Sequence, residues 1–227
     1  MRQVFIAVLA TALMFCAAAT TSAQTVSDPR EDIQFWNETQ LIIPMSERVD
    51  LLMIGALRLG RDLTHLVDER GGVGVAFKAN KFLTIMPTWF YIAKQPTATR
   101  KSFEHRLIFN ATVKFPVGKF NFTDRNLIER RVRHNNNDLT MYRNRLQIDH
   151  PARLGSFDFR VFVFDEVYYN WSQNALTRNR IAAGIIKQFS PSFTAEFFYM
   201  RQNDGSARPG DVHAIGTVFK IRLGESK

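Results

Sequence analysis

The sequence predicts an all-β fold, a closed antiparallel transmembrane up-and-down β-barrel of about 10 to 12 strands, as expected for strands that cross a bilayer. Three observations predict it: hydrophobicity alternates with period two, the alternating segments are long, and short turns alternate with longer polar links. Successive side chains of a strand point to opposite faces, so this alternation gives one apolar and one polar face. Segments of about 10 to 14 residues exceed the roughly 9 to 11 residues that a tilted crossing needs.

The first 23 residues predict a secretory signal peptide. Arg2 is the only charge before an apolar run over residues 4–19, and small residues follow at 21–23. That run is shorter than the roughly 20 residues of a spanning helix, which favours a cleavable signal over a membrane anchor. We therefore expect a signal peptide at 1–23 and one outer-membrane β-barrel domain at 24–227, exported through the inner membrane.

Composition narrows the class of protein. The net charge of +9 becomes +8 without Arg2, from 29 basic minus 21 acidic residues. Basic proteins often bind nucleic acid, but these cations alternate with apolar residues instead of forming a stripe or an aromatic groove, so no nucleic-acid partner is predicted. Cys16, the only cysteine, lies in the signal peptide, which leaves the mature chain without disulfides or thiolate metal sites. No uninterrupted apolar window of the mature chain is long enough for a spanning helix.

Eleven candidate strands follow in order, centred near residues 37, 53, 73, 88, 109, 126, 145, 163, 183, 197 and 217. The segment 103–115 alternates most clearly, and segments 157–169 and 215–223 repeat its pattern with some slippage. In the first of these, the apolar face carries Phe103, His105, Leu107, Phe109, Ala111, Val113 and Phe115. The charged residues within strands are expected on the other face.

The links between these strands alternate in length. Short turns are predicted around 44–46, 80–81, 116–118, 150–155 and 190–191, with longer polar links at 60–67, 95–100, 134–138, 170–177 and 202–211. Short periplasmic turns and longer outer loops are typical of outer-membrane barrels. An antiparallel barrel with both ends on one side needs an even number of strands, so eleven candidates predict ten or twelve true strands.

Aromatic residues cluster where a membrane barrel places its interfacial girdles. The predicted interface aromatics are Trp89, Tyr91, Tyr168, Tyr169 and Trp171. Trp36 fits a girdle and a packed interior equally well. The twenty phenylalanines are easier to place on a lipid-facing belt than in a soluble core of this size.

Charged residues interleaved with apolar ones predict a charged lumen, because buried charges need partners. The lumen-lining candidates are Glu38, Arg58, Glu104, Arg106, Arg125, Glu129, Arg131, Arg143, Arg145, Arg160, Glu166, Arg180 and Glu196. Arginine forks bind carboxylates bidentately, so a Glu–Arg ladder could be internal scaffolding. The same ladder could instead form an arginine-biased pore that favours anions. A barrel of this size lies between filled small barrels and open porins, so both interpretations stay open.

With these motifs in view, the chain resembles the outer-membrane β-barrel family catalogued as domain of unknown function 2490, over nearly the whole mature chain. The residues that carry the resemblance are Trp36-Asn37-Glu38, Phe103-Glu104-His105-Arg106, Asp124-Arg125, Glu129-Arg130-Arg131, Arg143-Asn144-Arg145, the run 165–170, Asn179-Arg180-Ile181 and Gly184. The resemblance implies an outer-membrane barrel of unassigned role and no catalytic residues. Asp124 departs from the family pattern, which favours an amide there, and this adds a negative charge beside Arg125.

Enzymatic chemistry has little support in the sequence. A barrel hydrolase acting on lipid esters would need a base beside a serine, and the candidates are His65, His105, His134, His150 and His213. His105 falls on the predicted lipid-facing side, where it could act on a lipid or simply contact headgroups. No set of residues has metal-ligand spacing, and the glycines at 71–74 lack the phosphate-cradle motif, so they indicate a bend or room for bulky lumen neighbours.

These observations favour an outer-membrane β-barrel that is not an enzyme, with a Glu/Arg-lined lumen, serving as a narrow porin-like channel or a structural barrel. The alternatives are an outer-membrane lipid ester hydrolase, such as a lipid A deacylase or a phospholipase-like enzyme, and a soluble periplasmic lipocalin-like binder. No cofactor and no metal are predicted. The expected partners are outer-membrane lipid, the barrel-insertion machinery and small anionic solutes.

Overall fold

A computed structural model describes residues 29–134 and 136–224, so the predicted signal peptide 1–23 lies outside the described residues. The described chain forms one closed barrel of eleven strands. The strands are β1 (Glu31–Pro44), β2 (Val49–Gly60), β3 (His65–Lys78), β4 (Leu83–Lys94), β5 (Ser102–Val117), β6 (Phe120–Arg133), β7 (Leu139–Leu154), β8 (Phe157–Asn170), β9 (Ala175–Ser190), β10 (Phe193–Asp204) and β11 (Asp211–Arg222). The all-β barrel predicted from the sequence is confirmed.

The barrel closes through a parallel pair of strands. Neighbours from β1–β2 to β10–β11 are antiparallel, whereas β1 and β11 pair in parallel from Glu31 opposite Asp211 to Ile42 opposite Arg222. Eleven strands lie within the predicted range of about 10 to 12, and all eleven candidates counted in the sequence are present, but the expectation of an even number and of antiparallel closure was wrong. An odd number closes without a gap because the first and last strands run in the same direction.

The two ends of the barrel differ in their links. Five links of two to four residues lie at the end that we call the short-turn end, and five links of four to seven residues lie at the long-link end. The two-residue turns after β5 and β7 contain Gly118 at φ 60° and Gly155 at φ 59°, a conformation that favours glycine. Strand β1 starts at the long-link end and β11 finishes at the short-turn end, which is a consequence of the odd strand count.

The outer surface is largely apolar. Leu107 and Phe109 of β5 are 54% and 52% exposed, and Val163 of β8 is 53% exposed. Similar side chains cover most of the wall, among them Met53, Leu57, Val73, Val75, Phe77, Ile128, Val161, Ile181, Phe197 and Ile215. A continuous apolar surface of this extent would be unstable in water and is suited to lipid. No helix in the two described stretches is long and apolar enough to cross a membrane.

Four of the five predicted interface aromatics lie on the outer surface. Trp89 and Tyr91 flank His105, with ring centroids 5.7 and 5.4 Å from the imidazole, and Tyr169 meets Trp171 edge-on at 6.4 Å. The prediction was wrong for Tyr168, which is 1% exposed inside the barrel. It shares the parity of Glu166, two residues earlier, and therefore points to the same side.

Not all charged residues in the strands face inward, contrary to the expectation from the sequence. Asp124 of β6 lies on the outer side, where it accepts hydrogen bonds from the amides of Asn126 at 2.9 Å and Asn144 at 2.6 Å. Asp165 of β8 is also outward and accepts a bond from Asn179 at 2.6 Å. Amide donors therefore satisfy these carboxylates, which would otherwise be costly in an apolar wall.

Inward-facing glycines make room for aromatic rings inside the barrel. A Cβ at Gly72 would overlap the ring of Phe90, and a Cβ at Gly216 would overlap the ring of Phe198. Gly184 would place a Cβ 2.7 Å from Phe198 Cβ and 2.9 Å from the ring of Phe162. These rings lie flat against the wall because the glycines have no side chain, which confirms for Gly72 the predicted room for bulky lumen neighbours.

Candidate functional site

Three cavities follow one another along the barrel axis. The entrance chamber, at the long-link end, has a volume of about 180 Å³, the middle chamber about 200 Å³, and the wide chamber, at the short-turn end, about 790 Å³. Residues that line both the entrance and middle chambers include Trp36, Arg58, Arg70, Arg106, Arg143 and Arg180. We call these six residues the arginine belt. Its position means that a solute moving along the axis must pass five guanidinium groups.

The structure places all thirteen predicted lumen residues on the inner side of the wall. Ten line one or more chambers: Glu38, Arg58, Arg106, Arg125, Arg131, Arg143, Arg145, Arg160, Arg180 and Glu196. The other three, Glu104, Glu129 and Glu166, are buried beneath these cations, and two of them are fully buried. The carboxylates therefore lie behind the arginines, which present the lumen surface.

Glu166 of β8 is the main carboxylate of this network. Its Oε1 accepts a hydrogen bond from Arg143 at 2.8 Å, and its Oε2 accepts bonds from Arg145 at 3.1 Å and from the hydroxyl of Tyr168 at 2.9 Å. Arg125 and Arg180 approach the same carboxylate at 3.4 and 3.5 Å. One negative charge is thus shared among four guanidinium groups.

Two further carboxylates extend the network toward β5. The carboxylate of Glu129 forms ion pairs with the guanidinium groups of Arg131 and Arg143 at 3.0 Å each and with that of Arg106 at 3.3 Å. Glu104 pairs with Arg106 and with Lys94, the latter at 2.9 Å. Charge-assisted bonds of this kind are strong, and Arg106 and Arg143 each bridge two carboxylates, which fixes their guanidinium planes. The result is a rigid layer of side chains across the long-link half of the lumen.

The network has more cations than carboxylates. Its cations are Arg58, Arg70, Lys94, Arg106, Arg125, Arg131, Arg143, Arg145 and Arg180, and its carboxylates are Asp68, Glu104, Glu129 and Glu166. Nine positive minus four negative charges leave a net +5 among the described residues of this cluster. In addition, the Nε atoms of five arginines have no acceptor within the described chain, namely Arg106, Arg125, Arg131, Arg143 and Arg145. The lumen therefore offers positive charge to an anion, whereas these buried Nε atoms are not accessible from it.

Arg58 is the most weakly paired cation of the belt. Its guanidinium stacks 3.5 Å from the ring centroid of Trp36, and its nearest carboxylate, on Asp68, is 4.0 Å away. Arg180 lies 4.9 Å from the same ring. A cation held on an aromatic face keeps its hydrogen-bond donors free at the edge. Trp36 thus positions two guanidinium groups at the boundary between the entrance and middle chambers.

The links at the long-link end narrow the entrance. Arg208 and Pro209 of the β10–β11 link line the entrance chamber, together with Pro96 of the β4–β5 link. Asp204 fixes the start of the β10–β11 link. Its Oδ1 accepts hydrogen bonds from the backbone N–H and the hydroxyl of Ser206, and its Oδ2 pairs with Arg178. The entrance chamber is lined by nine cationic side chains and by one carboxylate, that of Asp68.

Sequence reasoning missed several inner charges and the inner aromatic wall. Among the missed residues are Asp50, Asp68, Arg70, Lys78, Lys94, Lys114, Asp149, Arg178, Lys220 and Arg222. The alternation along β3 could have identified Asp68 and Arg70 as inward residues, because they lie on the same face of the strand as Gly72. Strand β4 gave no such signal, since its inner face carries Met86, Phe90 and Ile92 and so does not read as polar.

The candidate histidines are dispersed over the barrel. His105 lies outside between two aromatic rings, as predicted, and His213 is hydrogen-bonded to the hydroxyl of Tyr199 at 2.6 Å. His150 packs on Phe120 with a centroid distance of 4.8 Å. Over residues 29–134 and 136–224, no serine hydroxyl forms a hydrogen bond with a histidine ring, so no catalytic dyad is assembled in the described barrel.

A protein family and two solved porin structures are similar to this chain. The model of a family described as a protein of unknown function (DUF2490) matches residues 33–212. No curated protein matches the chain. Among solved structures, the NanC porin in a rhombohedral crystal form is 10% identical, with a TM-score of 0.47, and the match covers 85% of this chain and 99% of that one. An anion-selective porin from Comamonas acidovorans is 12% identical, with a TM-score of 0.36, and the match covers 76% of this chain and 56% of that one.

Proposed function

The chain belongs to the family of proteins of unknown function DUF2490, and we propose that it is an outer-membrane barrel whose narrow lumen passes small anions. The observation that carries the proposal is the excess of cations over carboxylates in every chamber. The middle chamber is lined by seven arginines and two glutamates, and the wide chamber by six cations and three carboxylates. Rings of arginine and lysine favour anions in channels.

The apolar wall and the predicted signal peptide support the location. An exported chain with a lipid-facing β-barrel belongs in the outer membrane of a Gram-negative envelope. Its partners there would be outer-membrane lipid and, during biogenesis, the machinery that inserts barrels. Trp89 and Tyr91, on the outer surface, would anchor the wall at headgroup level.

The narrowness follows from the ion network. Arg106 and Arg143 are less than one-tenth exposed and hold the belt in a fixed geometry through Glu129. Such a layer of side chains occupies part of the lumen cross-section and so favours small solutes over large ones. A structural barrel without transport would have the same ion pairs, but the net +5 of the cluster gives no added stability and is explained better by an anion.

The proposal is tested by chloride entry into vesicles that hold the purified protein and a chloride-quenched dye. We expect entry above that of empty vesicles, and a several-fold decrease in Arg58→Glu, because this change removes two units of charge from the belt. Lys119→Glu is the matched control, since Lys119 is an exposed residue of a two-residue turn. Absence of chloride entry through wild type would refute the channel and leave the structural barrel.

A further inference from the structure

The middle chamber combines its arginines with an apolar wall. Seven guanidinium groups line it, and so do the side chains of Ile54, Met86, Phe90, Ile92, Ile108, Leu127, Phe162, Phe164, Phe198 and Met200. A lumen that only passes hydrated ions has no need of so much apolar surface, because water wets it poorly. The chamber therefore has the composition of a binding site for a solute with both characters.

The apolar wall is built by the backbone as well as the side chains. The rings of Phe90 and Phe198 lie flat because Gly72 and Gly216 leave room behind them, and any larger residue there would push each ring into the chamber. Phe162 stacks against Phe164, with centroids 6.3 Å apart and planes at 7°. Phe162 and Phe164 are themselves buried, so the partly exposed rings of Phe90 and Phe198 are the faces that fit a flat or ring-shaped apolar group.

The cationic side of the chamber is close to this wall. Arg145 stacks 4.0 Å from the ring centroid of Phe164, and Arg125 lies beside Arg145 in the register of β6 and β7. The side chains of Arg125 and Arg145 are 29% and 23% exposed, so both guanidinium groups can be reached from the chamber. A carboxylate held by these two arginines would leave its attached body beside Phe198, the partly exposed ring that packs against the buried cluster of Phe162 and Phe164.

From these contacts we infer that the middle chamber is a binding site for a small carboxylate with a flat apolar body, of the size of an aromatic acid. The chamber volume of about 200 Å³ agrees with this size, since an apolar cavity of roughly 150 Å³ holds benzene. The inference rests on the proposed function only in requiring that solutes reach the lumen. It adds a solute class that net charge alone does not select.

The test is calorimetric titration of the full mature chain in detergent with benzoate, acetate and benzyl alcohol. We expect benzoate to bind at least tenfold more tightly than acetate, which lacks the ring, and than benzyl alcohol, which lacks the charge. Phe198→Leu should weaken benzoate by several-fold and leave acetate unchanged, and Arg145→Gln should weaken both anions. Phe189→Leu is the matched control, because Phe189 is 55% exposed on the outer wall.

The outcomes separate the two proposals. Benzoate that binds no more tightly than acetate, in a preparation that passes chloride, would overturn the inference and leave the channel. Benzoate that binds tightly to a protein that passes no chloride would overturn the channel and support the site. If Phe198→Leu and Phe189→Leu lower the affinity for benzoate equally, the benzoate ring binds the outer wall and not the chamber. This result would also overturn the inference.

Discussion

Glu166→Gln should be among the most destabilising single substitutions in the barrel. The carboxylate is fully buried, receives Arg143 at 2.8 Å and Arg145 at 3.1 Å, and is approached by two more guanidinium groups within 3.5 Å. Glutamine keeps the volume and one acceptor oxygen but removes the charge, so the net charge of the cluster rises from +5 to +6. Removing one member of a buried ion network costs about 3 to 5 kcal/mol.

The assay is urea unfolding in phospholipid vesicles, followed by the mobility of the folded barrel on a gel without boiling. A loss of about 3 to 5 kcal/mol lowers the ratio of folded to unfolded protein by roughly two to four orders of magnitude. Glu196→Gln is the matched control, because Glu196 pairs with Lys220, whose side chain is 37% exposed, and its loss should cost about 1 kcal/mol or less. Equal destabilisation by the two substitutions would refute the central place of Glu166.

Three other predictions follow from the wall of the barrel. The double substitution Asn37→Cys and Thr217→Cys should form an intramolecular disulfide in the cysteine-free mature chain. Asn37 lies opposite Thr217 in the parallel β1–β11 pair, and Asn37 Nδ2 is 2.9 Å from Thr217 Oγ1. A gel that shows no internally crosslinked monomer would contradict this closure. Asp124→Asn should raise stability to urea or leave it unchanged, since it removes a charge from a lipid-facing position, and a loss above about 1 kcal/mol would contradict this placement. His105→Ala should leave any lipase activity of the preparation equal to that of wild type, and a specific loss would revive the hydrolase alternative.

The alternation of hydrophobicity was enough to predict the barrel and the inner side of the wall. Glu104, Arg106 and Glu129 could be assigned to the lumen because their strands alternate clearly, and a charge can be buried there only with partners. The same alternation places Tyr168 inside, because it lies two residues after Glu166 in β8 and therefore on the same face. The prediction from aromatic clustering was wrong because clustering ignores which face a residue occupies.

Closure and chamber shape could not be predicted in the same way. The parallel direction of the β1–β11 pair follows from the odd strand count, but no local sequence pattern shows that the first and last strands pair at all. The aromatic wall was hidden because Phe90 and Phe198 are inward residues on strands whose outer face is apolar too, so no alternation marks them. The glycines behind these rings, Gly72 and Gly216, show their purpose only when neighbouring strands are aligned.

We propose that the arginine belt makes the lumen selective for anions. The most direct measurement is the zero-current potential of the purified protein in a planar bilayer under a potassium chloride gradient. We expect discrete conductance steps and a zero-current potential whose sign shows a preference for chloride over potassium. In Arg58→Glu this potential should be smaller. A potential with the sign of potassium preference, or a bilayer without conductance steps, would contradict this proposal.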